Sequence, residues 1–239
     1  MAPKRRASEN EWGVSVVVCE SGVSRRGFFE AVGVAGLSVG LAGCGSSSEA
    51  SYRFRMTVEA DTAEGVKTGS SVMEARVNRG MAIGDRSGIS SSVRGEAVVV
   101  ELPSGPLFVL LKMPDAGPPL QTVVPNALLG RRSDTPDAVL KDTAALGSTW
   151  FGEYRAELPR ASWPIMVQFG NLSDPQSVER VSPEVLGIRK ISVQTTSDRI
   201  TDQLDKRLVW LDNLQNYRTK SDNPFTSNLS SDISALRSL

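Results

Sequence analysis

The chain has 239 residues, of which 40% are hydrophobic and 23% charged, and its formal net charge at pH 7 is zero. This composition is typical of a globular domain with a real core. The lack of a basic excess argues against nucleic-acid binding, and no apolar run reaches the ~20 residues that span a bilayer as a helix.

The chain contains no histidine, and its two cysteines, Cys19 and Cys44, both lie near the N-terminus. This argues against Ser-His-Asp and Cys-His catalysis, iron–sulfur clusters and the usual zinc sites. It also argues against disulfides in the remainder of the chain. We therefore expect no cofactor and no metal, and only a mechanism based on carboxylates, Lys, Ser/Thr or Tyr remains open.

The first 23 residues form an unusually long prefix for the export signal that follows them. We interpret 1–23 as an extension that results from a misassigned start, with translation beginning later, for example at Val23. In that case Cys19 would never be synthesised.

An export signal follows this extension, and we assign it to residues 24–43. Its first residues, SRRGFF, resemble the twin-arginine consensus, with Arg25 and Arg26 followed by Phe28 and Phe29. Residues 31–43 then form a 13-residue stretch without a charge. That length matches the apolar region of a signal peptide and is too short to span a membrane. The glycines in it lower its hydrophobicity, as is typical of twin-arginine signals.

The signal ends in Leu41, Ala42, Gly43 and Cys44, which resemble a bacterial lipobox. In such a motif the cysteine thiol receives a diacylglycerol, and cleavage leaves that cysteine as the first residue. Several acyl chains together anchor a protein stably, whereas a single chain is marginal. The alternative interpretations are a buried structural thiol and a glycine-rich core helix. A lipidated Cys44 predicts a bacterial cell-envelope protein that is attached to a membrane and faces the periplasm.

Period-two alternation predicts strands in the segment that follows the tether of residues 44–51. In 52–59, aromatic and aliphatic residues alternate with polar ones, and 61–65 is predicted as a turn. A proline- and glycine-containing turn joins two nearly continuous apolar runs, so we predict a hairpin whose strands are covered on both faces. The predicted strands are 52–59, 66–77, 96–102, 107–112, 164–169 and 188–196.

Two helices are predicted from capping and spacing. Thr135, Pro136 and Asp137 form a typical helix start before apolar residues at helical spacing up to Leu146. Leucines at steps of three and four predict a second helix in 200–214. We predict one α+β domain, residues 52–217, with a mainly antiparallel sheet and two or three helices. The polar residues 218–239 are expected to form a loosely attached tail.

Three segments resemble uncharacterised proteobacterial proteins of hypothetical lipoprotein status. They are YRFRMTVEADTAEGVKTGSSV at 52–72, GEAVVVELPSG at 95–105 and NLSDPQSVERVSP at 171–183. The resemblance covers most of 52–215. It implies no activity and supplies no catalytic residues.

Four carboxylates are the candidates for acid–base chemistry, namely Asp174, Glu179, Glu74 and Glu101. Three of them also have a simple structural interpretation. Asp174 precedes a proline in a typical turn, and Glu74 and Glu101 fit the outward positions of alternating strands.

Two other groups of residues have a binding and a structural interpretation. A group of aromatic residues, Trp150, Phe151, Tyr154 and Trp163, would suit stacking on a sugar or peptide but is more typical of a core. The runs 69–71 and 88–92 contain glycine and serine but lack the lysine of a phosphate-binding loop, so we interpret them as turns.

The sequence therefore favours a membrane-tethered envelope lipoprotein without enzymatic activity. Its domain would bind an envelope protein or polymer, or support an assembly, and its other partners would be the export machinery and the bilayer. The alternative is a carboxylate-dependent hydrolase of an envelope polymer, which predicts a cleft with at least two acids of opposed pKa shifts. A third hypothesis is a soluble protein with an accidental signal-like segment.

Overall fold

A computed structural model describes residues 49–80, 88–114, 117–148, 153–213 and 234–238. Within these residues the chain forms ten strands and two α-helices, which confirms the predicted β-rich α+β class. The elements are β1 (Glu49–Thr62), β2 (Gly65–Arg79), β3 (Ile89–Glu96), β4 (Val98–Leu102), β5 (Gly105–Val109), α1 (Leu120–Leu129), α2 (Pro136–Gly147), β6 (Arg155–Glu157), β7 (Met166–Phe169), β8 (Val178–Arg180), β9 (Ile188–Thr195) and β10 (Arg237–Ser238).

The strands form two sheets in which all neighbours are antiparallel. A six-stranded sheet has the order β10-β3-β2-β1-β9-β6, and a four-stranded sheet has the order β4-β5-β7-β8. One large apolar cluster joins the six-stranded sheet to the four-stranded sheet and to both helices. A second cluster covers the other side of the four-stranded sheet, around Phe108 and Leu208. The molecule is thus layered, with the six-stranded sheet as its largest element.

The longest element is the β1–β2 hairpin. Every second residue of β1 from Ala50 to Ala60 is buried, as alternation predicts for a strand with one face on the core. Gly65 closes the two-residue turn with a φ of 106°, a conformation that favours glycine. The structure confirms both predicted strands and extends them. Glu49 to Ser51 belong to β1 and not to a flexible tether.

The predicted second hairpin is β4–β5, and the structure confirms that apolar groups cover both of its faces. Val98, Val100 and Leu107 lie in the large cluster, which the six-stranded sheet also lines. On the opposite side, Phe108 lies in the second cluster and packs edge-on against Phe169, with ring centroids 5.3 Å apart. Nearly continuous apolar runs were a correct signal for this burial.

The predicted helix start at Thr135 is confirmed. Its hydroxyl accepts a hydrogen bond from the backbone N–H of Ala138 at 3.2 Å, and Pro136 is the first helical residue. The helix, α2, packs against the start of β1. A Cβ on Gly147 would lie 2.3 Å from the Ser51 carbonyl oxygen, so only glycine fits at this contact.

Helix α1 was not predicted. Its buried residues Leu120, Val123, Val124 and Leu128 have helical spacing, but Pro119 precedes the helix and Pro125 lies inside it. Proline removes one backbone donor and normally disfavours a helix interior. Burial of the apolar side against the core stabilises the helix despite this local cost.

The predicted helix in 200–214 is wrong. The structure has two short 3-10 turns there, Leu204–Lys206 and Leu211–Asn213, and residues 199–203 before them belong to no helix or strand. Thr201 occupies the edge of β2, because its N–H donates to the Val72 carbonyl at 3.0 Å and its hydroxyl accepts from the Val72 N–H at 2.9 Å. The hydrogen bonds of Thr201 to a strand distant in sequence therefore outweigh the helical preference that the leucine spacing indicates.

Part of the polar segment 218–239 is folded and not loosely attached. Residues 237–238 form β10 beside the end of β3, and the Ala97 N–H donates to the Leu236 carbonyl at 2.8 Å. The Leu236 side chain is completely buried in the second cluster. One apolar residue in a polar stretch thus provides the attachment that composition alone did not reveal.

The two glycine- and serine-containing runs lie in strands and not in turns. Residues 69–71 belong to β2, and Ser90 to Ser92 belong to β3. The small residues allow β4 to approach β2 closely, since a Cβ on Gly69 would lie 2.0 Å from the Val99 carbonyl oxygen. The Ser71 hydroxyl donates to the Glu96 carbonyl at 2.9 Å. The close approach of the β4 backbone to β2 therefore explains why a small residue occurs here, and the run does not form a turn.

Candidate functional site

The side of the six-stranded sheet that faces away from the large apolar cluster carries polar side chains. We call this side the outer face. Alternation along β1 assigns residues to it, and the strand register places polar residues of the neighbouring strands beside them. Its residues near the start of β1 are Glu49, Ser51, Arg53 and Arg55 of β1, Val72, Glu74, Arg76 and Asn78 of β2, and Ser90, Ser92 and Arg94 of β3.

Glu74 organises the arginines of the outer face. Its side chain is only 8% exposed, and its Oε2 accepts from Nε of Arg76 at 2.7 Å and lies 2.7 Å from Nη2 of the same residue. Nε of Arg53 lies 3.6 Å from Oε1. Arg94 is directly opposite Glu74 on β3. One carboxylate thus contacts two guanidinium groups and has a third arginine opposite it in the register, which leaves this part of the face cationic.

Residues 196–203 cross the outer face from β9 to the edge of β2. The N–H of Thr196 donates to the Arg53 carbonyl at 3.0 Å, and Nη1 of Arg53 donates to the Asp198 carbonyl at 3.2 Å. Arg55 forms an ion pair with the Asp198 carboxylate. The Thr196 hydroxyl and then Arg55 hold the pKa of Asp198 below its usual range. The segment is therefore fixed on the sheet, and it adds Arg199, which is exposed, to the same surface.

Glu96 fastens the end of the crossing segment. It is 3% exposed, and its Oε2 accepts from the backbone N–H groups of Gln203 at 2.7 Å and Leu204 at 3.1 Å. Arg237 lies 3.7 Å from Oε1. Burial raises the pKa of Glu96, although these donors oppose the increase. The arrangement joins three distant parts of the chain, which indicates a structural role.

A shallow cleft of about 390 Å³ lies between β3, α1 and residues 234–238. Hydroxyl, amide and amine groups provide its polar lining, and no carboxylate occurs among its described lining residues. The cleft is therefore not the acid-lined cleft that the hydrolase hypothesis predicts. It is lined by Ser91, Ser92, Val93, Leu111, Lys112, Gln121, Ser234, Ala235 and Ser238.

The four candidate carboxylates occupy separate environments. Glu74 lies on the outer face as described, whereas Glu101 is exposed on β4 and forms an ion pair with Arg207. Oδ1 of Asp174 accepts from the Gln176 N–H at 2.9 Å and caps a 3-10 turn, which confirms the turn interpretation. Glu179 is exposed on β8. Each carboxylate thus has a structural place of its own, and the structure does not assemble them into one site.

The aromatic group is confirmed as part of the core where the structure describes it. Trp163 is 5% exposed, and its Nε1 donates to the Leu158 carbonyl at 2.9 Å. Tyr154 packs against the same large cluster. The other two aromatic residues, Trp150 and Phe151, lie outside the described residues.

The predicted signal and lipidation residues also lie outside the described residues. They are Arg25, Arg26, Phe28, Phe29, Leu41, Ala42, Gly43 and Cys44. In the part of the chain that the structure describes, no three metal-ligating side chains form a group. None of the described helices is long and apolar enough to cross a membrane.

The chain matches no protein-family model, no curated protein and no solved structure. The case for a site therefore depends on the geometry of the chain alone. Sequence reasoning missed the arginine cluster, because Arg53, Arg76, Arg94 and Arg199 are distant in sequence and only the strand register and the crossing segment bring them together. The alternation in 52–59 did show that arginines occupy the polar side of that strand.

Proposed function

We propose that the chain is a cell-envelope lipoprotein, exported through a twin-arginine signal and anchored through an acylated Cys44. Its domain acts as a non-enzymatic binding or assembly module that faces the periplasm. The resemblance of 52–72, 95–105 and 171–183 to uncharacterised proteobacterial lipoproteins agrees with this proposal, but it names no ligand.

The observation that carries the proposal is the position of the first described strand, β1, which begins at Glu49, five residues after Cys44. Lipoprotein cleavage before Cys44 would therefore remove nothing from β1. The intervening residues extend over at most about 18 Å, since an extended chain covers roughly 3.6 Å per residue. The position of the lipobox relative to the first strand thus fits a signal whose removal leaves a lipidated Cys44 in front of the domain.

The features of the domain agree better with binding than with hydrolysis. The outer face provides guanidinium, hydroxyl and amide groups on a rigid sheet, which are suitable groups for recognition of a polar partner. The buried carboxylates Glu74 and Glu96 are each engaged by their own set of donors. In this arrangement they stabilise the fold and orient other groups.

Incorporation of radiolabelled palmitate tests the anchor. The wild-type chain should be labelled, and Cys44→Ala should abolish the label, because the thiol is the only nucleophile that a lipobox provides for acylation. Ser48→Ala, four residues after Cys44 and outside the lipobox, is the control and should leave labelling unchanged. An unlabelled wild-type chain would contradict the proposal and favour the soluble alternative.

The export route has a separate test. Replacement of both Arg25 and Arg26 by lysine keeps the charge but removes the twin-arginine pair, so the precursor should accumulate in the cytoplasm. Arg131→Lys with Arg132→Lys is the matched control, since this second arginine pair lies outside the proposed signal. Normal export of the Arg25, Arg26 variant would exclude the twin-arginine route while leaving the lipid anchor open.

A further inference from the structure

The outer face of the six-stranded sheet differs in charge between its two ends. Near the start of β1, six guanidinium groups occur with four carboxylates. The arginines are Arg53, Arg55, Arg76, Arg94, Arg155 and Arg199, and the acids are Glu49, Glu74, Glu153 and Asp198. At the other end the charges cancel more closely, because Arg189 lies between Glu59 and Asp61. The excess of positive charge therefore lies at the end of the sheet where β1 starts.

These arginines are accessible although several are ion-paired. The side chains of Arg53 and Arg76 remain 40% and 41% exposed beside Glu74. Arg94 and Arg199 are exposed and form no ion pair with a described residue. A guanidinium has five N–H donors in a fixed fork that matches phosphate oxygens. Glu74 and the crossing segment use part of this capacity and hold three of the guanidinium groups in place.

The proposed anchor would keep this end of the sheet close to a bilayer. Cys44 is five residues from Glu49, which limits the separation to about 18 Å. Arg53 is four residues further along β1, at about 3.4 Å per residue. The arginine cluster therefore lies within reach of the lipid headgroups, whereas the hairpin turn is at the opposite end of the 14-residue strand.

We propose that the arginine-bearing outer face docks on the anionic phosphate headgroups of the membrane that holds the lipid anchor. This inference rests on the proposed function, because the anchor supplies the proximity. An arginine close to an anionic bilayer strengthens binding about fivefold. Docking on headgroups therefore provides a second membrane contact and fixes the orientation of the domain.

The opposite side of the molecule provides a matched comparison. Helix α2 packs against the inner face at the same end of β1, on the opposite side of the sheet from the arginines. Arg132 and Lys141 are exposed on this helical side. Substitution of these two residues removes the same charge as substitution of Arg94 and Arg199, but from the other side of the sheet.

Sedimentation with lipid vesicles tests the proposal on the full chain carrying Cys44→Ser, which prevents acylation. The protein should bind vesicles of equal parts phosphatidylglycerol and phosphatidylcholine and should not bind pure phosphatidylcholine. Arg94→Gln with Arg199→Gln should weaken binding about 20-fold. Binding should also fall steeply with salt, since the Debye length shrinks from about 10 Å at 0.1 M to about 3 Å at 1 M.

The control is Arg132→Gln with Lys141→Gln, which should change binding less than about twofold, because these groups face away from the bilayer. All variants retain residues 1–48, so the difference between the two double variants reports on the folded domain alone. Equal loss in the two variants, equal binding to both vesicle types, or retention only on an acidic polypeptide would each overturn the docking proposal. Failure of palmitate labelling would overturn the proposed function instead, and the two results are therefore distinguishable.

Discussion

The two faces of the six-stranded sheet use the same strands for opposite purposes. On the inner face of β1, the side chains of Phe54, Met56 and Val58 are completely buried. On the outer face, Arg53 and Arg55 form ion pairs and stay about 40% exposed. Burial of apolar area stabilises a fold far more than exposed ion pairs do. The comparison indicates that the inner face determines stability and leaves the outer face free to vary in chemistry.

The largest expected effect comes from a cavity on the inner face. Phe54→Ala removes a fully buried ring and should lower the free energy of unfolding by about 3–5 kcal/mol. Thr57→Ala, on the outer face of the same strand, should change it by less than about 0.5 kcal/mol. Urea unfolding followed by tryptophan fluorescence measures both values. Similar losses in the two variants would show that the faces do not differ as described.

A smaller effect should come from overpacking between the sheets. Gly69→Ala introduces a Cβ that would lie 2.0 Å from the Val99 carbonyl oxygen, so the backbone of β4 must move. We expect a loss of about 1–3 kcal/mol, measured by thermal unfolding. Gly170→Ala is the control, since its Cβ would have no neighbour closer than 3.8 Å. An unchanged melting temperature for Gly69→Ala would contradict the close approach of the two strands.

The third prediction concerns pH and the buried carboxylate Glu96. Burial raises its pKa above the ordinary value of 4.5, so the folded chain binds a proton more tightly than the unfolded chain. The stability contributed by protonation is therefore complete below pH 4.5 and is lost as the pH rises through the folded-state pKa. Glu96→Gln keeps an acceptor oxygen for Gln203 and Leu204 but removes the titration.

We therefore expect Glu96→Gln to reduce the decrease in stability between pH 4.5 and neutral pH. Urea midpoints at the two pH values provide the measurement, and Glu179→Gln, an exposed residue of β8, is the control. The paired carboxylates Glu59 and Asp198 have lowered pKa values, so their contribution is lost only at more acidic pH. A pH dependence equal to that of the wild-type chain would show that Glu96 does not titrate in this range.

Local patterns predicted the elements whose determinants are local. Alternation in 52–59 and the cap at Thr135 identified β1 and α2, because side-chain period and capping act within a few residues. The leucines of 200–214 have an equally good helical spacing, yet Thr201 forms hydrogen bonds with β2 and the segment around it is not an α-helix. Residues 200–214 differ from these elements because Thr201 contacts a strand that is distant in sequence. A short stretch of sequence does not reveal such a contact.

The candidate site was less predictable than the fold for the same reason. Glu74 was recognised as a strand carboxylate, but its burial depends on Arg53 from one neighbouring strand and on Arg76 from its own. Arg94 joins the group only through the register of β3 with β2. The proposed lipidation at Cys44 is the opposite case, since a lipobox is a linear motif that is visible in the sequence alone.

The position of β1 in the sheet has a consequence for folding kinetics. Its partner β2 follows after a two-residue turn, whereas its other partner, β9, begins only at Ile188. Hairpin formation closes a short loop, but the β1–β9 pairing closes a long one and is expected to be slower. A growing chain would therefore carry a hairpin with one bare edge until β9 is synthesised. That edge, which includes Phe54 and Val58, would be the part of the nascent protein most in need of protection from aggregation.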